Sequence, residues 1–217
     1  MATETIENLP EMQFRDLAQQ RETAEFGMWV FLVTELLLFG ALFISYAVYR
    51  FYFPQVFAEA SRHLDTIIGT INTAVLIVSS LGMAIAVFGA QTGKRKRLLF
   101  GLITAIILGS VFMALKGLEY YHHYQHREFP GLAFDYTVAN AHEKQIFFFL
   151  YFAMTGLHAI HLTIGILLVC FILFRAYRRA YSPAYYTPVE NVGLYWHFVD
   201  IIWIFLYPLL YLIDIHR

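Results

Sequence analysis

Charge is what this sequence has least of. Only 14% of its 217 residues are Asp, Glu, Lys or Arg, against about a quarter in soluble globular chains. That composition argues against a water-soluble domain and leads to the expectation of an integral membrane protein. The formal net charge is −1, so no basic surface is on offer to nucleic acid. There is one cysteine, Cys170, inside an apolar run. An internal disulfide is therefore excluded, no CxxC or Cys/His metal spacing exists, and Cys170 reads as a small apolar side chain. A basic segment followed at once by a short apolar one, the mark of a cleavable signal, is also missing. Residues 1–25 instead carry six Asp/Glu against Arg15 and Arg21. The location this suggests is the bacterial inner (plasma) membrane, with a multi-pass protein.

What the chain has in quantity is apolar sequence, 59% of all residues. Five runs are each long enough to cross about 30 Å of hydrocarbon, which takes about 20 helical residues. They lie at about Phe26–Tyr49, Leu64–Ala90, Leu98–Tyr120, Gln145–Ala176 and Val192–Ile213. They are continuous rather than alternating, and a lone strand would leave its backbone polar groups unpaired in lipid, so helices are expected. The fold class is all-α: a polytopic bundle of five transmembrane helices spanning residues 26–217, preceded by an acidic cytoplasmic arm at 1–25. No internal repeat or low-complexity tract is present.

Basic residues set the expected direction. With the N-terminus inside and the C-terminus outside, the inner segments hold Arg15, Arg21, Lys94, Arg95, Lys96, Arg97, Arg175, Arg178 and Arg179. The outer ones hold Arg50, Arg62, Arg127, Lys144 and Arg217, and Lys116 falls inside the third run. The short loop Gln91–Arg97, "QTGKRKR", decides most of this asymmetry.

Ionisable groups at membrane depth are rare and face protein or a water-lined cavity. Glu35 lies about ten residues into the first run, roughly 15 Å by helical rise. Desolvation there disfavours the charged carboxylate. Glu35 is either an acid that exchanges protons or meets lipid, or a neutral carboxyl hydrogen-bonded between helices. In the second run Asn72, Thr73, Ser79 and Ser80 suit interhelical hydrogen bonds, and Gly69 and Gly82 suit close approach. Lys116 and Glu119 share a face at i, i+3, reading as a structural pair near the outer interface from which the lysine could also snorkel. His158 and His161 share a face of the fourth run. Arg175 lies fourteen residues beyond His161, close to four turns and about 21 Å away on nearly the same face. Its guanidinium, expected at the inner interface, suits a phosphate and hence a lipid headgroup.

In the fifth run Glu190, His197 and Asp200 lie near one stripe. His197 and Asp200 at i, i+3 barely meet on their own helix, so each is expected to bond a neighbouring helix or a shared water. Trp196 and Trp203, seven apart, read as packing or lipid contact. A six-coordinate haem needs two histidines at matching depth on facing helices. His158 and His161 differ in expected depth from His197 by about 10 Å. No three or four residues converge as a copper or iron ligand set in this reading, so no metal site is assigned to the chain.

Four stretches, in order on separate runs, carry a resemblance. They are the Trp29…Glu35…Phe39 pattern, "FMALKGLEYY" at 112–121, "TGLHAIHLTIG" at 155–165 and "ENVGLYWHFVDIIWIFLY" at 190–207. Over about residues 20–217 the sequence resembles subunit III of the haem–copper oxidases, most closely the cytochrome c oxidase branch in its short five-helix bacterial form. It departs from the longer seven-span members, and Ala159 stands where a Gly is usual. The resemblance implies a subunit without a catalytic or redox centre in an oxygen-reducing, proton-translocating complex. Haem A and copper would lie on partner subunits I and II.

It further implies bracing of subunit I, bound structural phospholipid, and support of proton uptake and turnover stability in aerobic respiratory electron transport. By position, Glu35 would be the buried acid. His161 and Arg175 would be associated with lipid, and Lys116, Glu119, His158, Glu190, His197 and Asp200 would form a structural polar network. Membership of a larger respiratory supercomplex is compatible with this. A quinol oxidase subunit III, the accessory subunit of a nitric oxide reductase, and an independent proton or ion carrier using Glu35 stay open as alternatives.

Overall fold

The computed structural model describes residues 12–126, 129–130 and 140–212. Residues 1–11 of the acidic arm, Arg127, Arg217 and Ile213 at the end of the fifth run lie outside them. Six helices follow in order: α1 Leu17–Tyr52, α2 Pro54–Ser61, α3 Thr66–Gln91, α4 Arg95–Gln125, α5 Ala141–Tyr177 and α6 Thr187–Tyr211. Five of them, all but α2, are long and apolar enough to cross a membrane.

The helices outrun the apolar windows because apolarity marks where hydrocarbon begins, not where helix begins. α1 starts nine residues ahead of Phe26. The Asp16 carboxylate accepts from the Gln19 N–H at 2.8 Å, capping a polar first turn. At 36 residues the helix is about 54 Å long, so part of it must stand clear of a 30 Å core. α3 starts after Leu64, where Asp65 accepts from the N–H groups of Ile67 and Ile68 at 2.9 and 3.1 Å. The basic loop shrinks to Thr92–Lys94, and Arg95, Lys96 and Arg97 become the first turn of α4. Cations are unfavourable at a helix N-terminus. Arg95 instead reaches the opposite pole of another dipole, donating to the Tyr177 carbonyl at the end of α5 at 2.7 Å.

Helix α2 was not expected. Pro54 disfavours helix at the preceding residue, so α1 ends at Tyr52 with Phe53 outside the α region. The proline then opens a new helix at its favoured first position. Phe57 buries itself between Tyr46 and Phe147, with ring centroids at 5.4 and 5.3 Å, tying α2 to α1 and α5.

Lipid offers helices no hydrophobic reason to associate, so close packing must hold the bundle. α3 and α4 form an antiparallel hairpin whose backbones touch. A Cβ on Gly89 would sit 2.5 Å from the Leu98 nitrogen, and one on Gly101 would collide with the Gly82 carbonyl oxygen. α6 is central, packing on α1, α3 and α5. Its Trp196 ring lies in a slot where Gly109 of α4 and Gly165 of α5 leave room. Trp203 packs edge-on to Phe112 at 4.7 Å. Both indoles are essentially fully buried, so they pack within protein rather than against lipid. α1 is peripheral, touching α2, α5 and α6, and most of its large apolar side chains face outward.

Candidate functional site

Three groups of polar side chains stand out inside the bundle among the described residues, at different places around α5 and α6. The first joins α1 to α5. Glu35 Oε2 lies 2.9 Å from His161 Nε2, and the Phe39 ring, one turn on, covers the imidazole at 5.2 Å. His161 Nδ1 lies 2.8 Å from the Leu157 carbonyl oxygen. A carbonyl only accepts, so Nδ1 carries a hydrogen. In a neutral imidazole Nε2 is then the acceptor. The contact with Glu35 therefore needs one further proton, held either by the carboxyl or by the ring. In both arrangements the pair is neutral overall, which is what a low-dielectric site favours. Tyr195 of α6 donates to the His161 carbonyl at 3.0 Å, so three helices meet here. Arg175 stands at the far end of α5, its guanidinium 5.7 Å from the Tyr181 ring.

The second group joins α4, α5 and α6. Lys116 Nζ donates to Glu119 Oε2 at 3.0 Å, to the Tyr151 hydroxyl at 2.9 Å and to the Tyr211 hydroxyl at 2.5 Å. Those are all the donors an ammonium has. Both tyrosine hydroxyls donate in turn to Glu119 Oε1. The lysine and glutamate side chains are 3% exposed. Lys116 does not snorkel, because partners for the whole charge lie inside the protein. Tyr151 and Tyr211 were not singled out from sequence. The available signal was that a buried tyrosine hydroxyl needs a partner, but an apolar run does not say which.

The third group lies between α3 and α6. Ser80 Oγ is 2.7 Å from His197 Nδ1. Asp200, one turn on, is 3% exposed; the Ser80 hydroxyl faces its carboxyl, but neither carboxyl oxygen makes a hydrogen bond of ordinary geometry among the described residues. All three residues line a groove of about 390 Å³. His158 does not join them. It is wholly buried between Phe112 at 5.5 Å and Trp203 at 5.1 Å, level with a residue some 9 Å further along α6 than His197 by helical rise. Among the described residues, no group of three or more His, Cys, Asp and Glu is placed to hold a metal ion.

Glu190 lies apart from His197 and Asp200, at the end of the bundle that carries the basic α3–α4 turn. Arg21 donates to it at 3.3 Å and Gln91 at 3.5 Å, and Arg21 also stacks over Tyr186 at 4.9 Å. Nearby, burial pushes the Tyr181 phenol up to about 12. At the opposite end Lys144 bonds Glu59 at 2.8 Å and holds that carboxyl below the ordinary carboxylate range.

Comparison with known proteins finds relatives over nearly the whole chain. A family model described as cytochrome c oxidase subunit III matches residues 13–214. Cytochrome c oxidase subunit 3 of a Synechocystis strain is 33% identical over 193 residues, covering 87% of this chain and 75% of the relative. Its counterpart from Thermostichus vulcanus is 33% identical over 192 residues, 86% of each. Cytochrome bo(3) ubiquinol oxidase subunit 3 of Pseudomonas putida is 27% identical over 195 residues, 87% of this chain and 85% of the relative.

Proposed function

Because the chain belongs to the cytochrome c oxidase subunit III family of the haem–copper oxidases, we propose that it is the non-redox subunit III of an aa-type cytochrome c oxidase in a bacterial inner membrane. It braces subunit I, holds phospholipid at the basic end through Arg175, and supports proton uptake and turnover stability. Haem A and copper belong to subunits I and II in this reading. The basic end faces the cytoplasm, in keeping with the charge asymmetry.

The observation that carries the proposal is how the membrane-depth charges are used. Glu35 is bonded to His161, and Lys116 to Glu119, Tyr151 and Tyr211. These groups fix helices against one another, the work of a scaffold. The higher identity to the two relatives named for cytochrome c, 33% against 27% for the one named for ubiquinol, supports the choice of donor.

The test is detergent removal of this chain from the purified complex. Turnover lifetime should shorten and proton uptake at alkaline pH should slow. Unchanged lifetime and uptake would show that the subunit has no supporting role. The Pseudomonas relative favours a second reading, subunit III of a quinol oxidase. Oxidation of reduced cytochrome c by the complex, against oxidation of a quinol, separates the two.

A further inference from the structure

Among the buried polar groups that the supporting role leaves unused, the Asp200 carboxyl is one that lines a groove. We propose that the α3–α6 groove receives a transmembrane helix of a neighbouring oxidase subunit, which presents a hydrogen-bond donor to Asp200. This rests on the chain's place in an oxidase complex.

Asp200 is buried, and apart from the neighbouring Ser80 hydroxyl, which faces its carboxyl, neither oxygen makes a hydrogen bond of ordinary geometry among the described residues. Leaving such a group unpaired away from water is unfavourable, because its lost hydration is not replaced. The groove it lines is otherwise apolar, walled by residues such as Ile77, Leu81, Ile201 and Ile204, each close to half exposed or more. The occupant must therefore offer an apolar body with a polar point. Depth decides between lipid and protein. Asp200 lies thirteen residues into α6 and Ser80 fourteen into α3, roughly 20 Å along each helix and near its middle. At mid-membrane a phospholipid presents only tails, because its headgroup lies beyond the hydrocarbon core. Tails hold no donor, whereas a helix can carry a Ser, Thr, Asn, Gln or Trp at that level.

The wall supports close approach as well. Ser80 and Ala84, one turn apart on α3, both line the groove, and small residues at that spacing let a second backbone come near. His197 adds direction. Its Nδ1 is taken by Ser80, so Nε2 is the ring nitrogen left to meet the incoming helix beside Asp200.

The experiment uses the intact purified oxidase. A p-benzoylphenylalanine placed at Leu81, and separately at Ile201, is irradiated and the adducts are identified by mass spectrometry. Adducts to a peptide from a transmembrane segment of another oxidase subunit are expected at both positions. Alongside, Asp200→Leu should weaken retention of this chain in the complex during detergent titration by about three- to tenfold in association constant, the range of interhelical hydrogen bonds in membranes. Asp200→Asn, which still accepts, should weaken it less.

Adducts confined to phospholipid, or to a second copy of this chain, would overturn the assignment. So would protein adducts with retention unaltered in Asp200→Leu. The crosslinking arm leaves Asp200 intact, so it stands even if that variant folds poorly. If the chain failed to copurify with haem-bearing subunits, the oxidase reading itself would fall. If it copurified but gave only lipid adducts in the groove, only the docking would.

Discussion

Glu35 and His161 meet 2.9 Å apart across α1 and α5, although 126 residues separate them in sequence. The bond matters because α1 is the most weakly held of the long helices: its window is 11% buried, whereas the other four are 33% buried or more. Glu35→Ala should leave His161 Nε2 unpaired and cost about 1–3 kcal/mol. Glu35→Gln, whose amide can donate to Nε2, should recover most of it. Denaturant unfolding in detergent measures the cost, and faster hydrogen exchange in α1 would locate it. Equal stability of the Ala and Gln variants would show that the bond does not hold α1.

Lys116 and Glu119 form an ion pair almost without water. Removing one charge strands the other, so Lys116→Met alone should cost about 3–5 kcal/mol. Lys116→Met combined with Glu119→Leu should cost far less than the sum of the single changes, because the buried charges leave together. Their coupling, read from a double-mutant cycle, should exceed about 1 kcal/mol. Additive losses would mean that the two groups act independently.

The number of spans was legible because a run of some twenty apolar residues has few other uses. Helix ends were not. Leu17–Glu25 is polar yet helical, and the eight-residue α2 is hidden between longer runs. In the polar interior, Lys116 and Glu119 could be paired from spacing alone. Tyr151 and Tyr211, which complete their shell, lie 35 and 95 residues from Lys116. Choosing them required the rotation of α5 and α6, which sequence periodicity did not fix in runs apolar on every face. The same limit hid the Glu35–His161 bond. Sequence placed Glu35 near mid-membrane and linked His161 with Arg175 along one face, but only the packing of α1 on α5 brings the acid to the imidazole.

Glu59 and Lys144 give a pH dependence outside the membrane. Lys144 lowers the Glu59 carboxyl in the folded protein, so folding favours the ionised form. The stabilisation is present above the ordinary carboxylate pKa and is lost as pH falls through the lowered folded value. Glu59 is about half exposed, so the effect should be small and weakened by salt. Lys144→Met should return the Glu59 titration, followed by carboxyl-labelled NMR, upward towards the usual range. An unmoved midpoint would assign the shift to another cause.

The glycines divide by what surrounds them. Gly89 and Gly101 lie where α3 and α4 touch, and an added methyl at either would meet backbone, which cannot move aside as a flexible side chain can. Gly89→Ala and Gly101→Ala should each force the hairpin apart and destabilise the protein by about 1–3 kcal/mol, the cost of overpacking. Gly27 and Gly40 of α1 have open space where a Cβ would go. There an alanine gains up to about 1 kcal/mol of helix propensity, so Gly27→Ala and Gly40→Ala should be neutral or stabilising in the isolated chain. Within the oxidase the same two substitutions become a probe of α1's outer face. If another subunit packs against that face by close backbone approach, the gain should turn into a loss when retention in the complex is measured, whereas a face that meets only lipid should keep it.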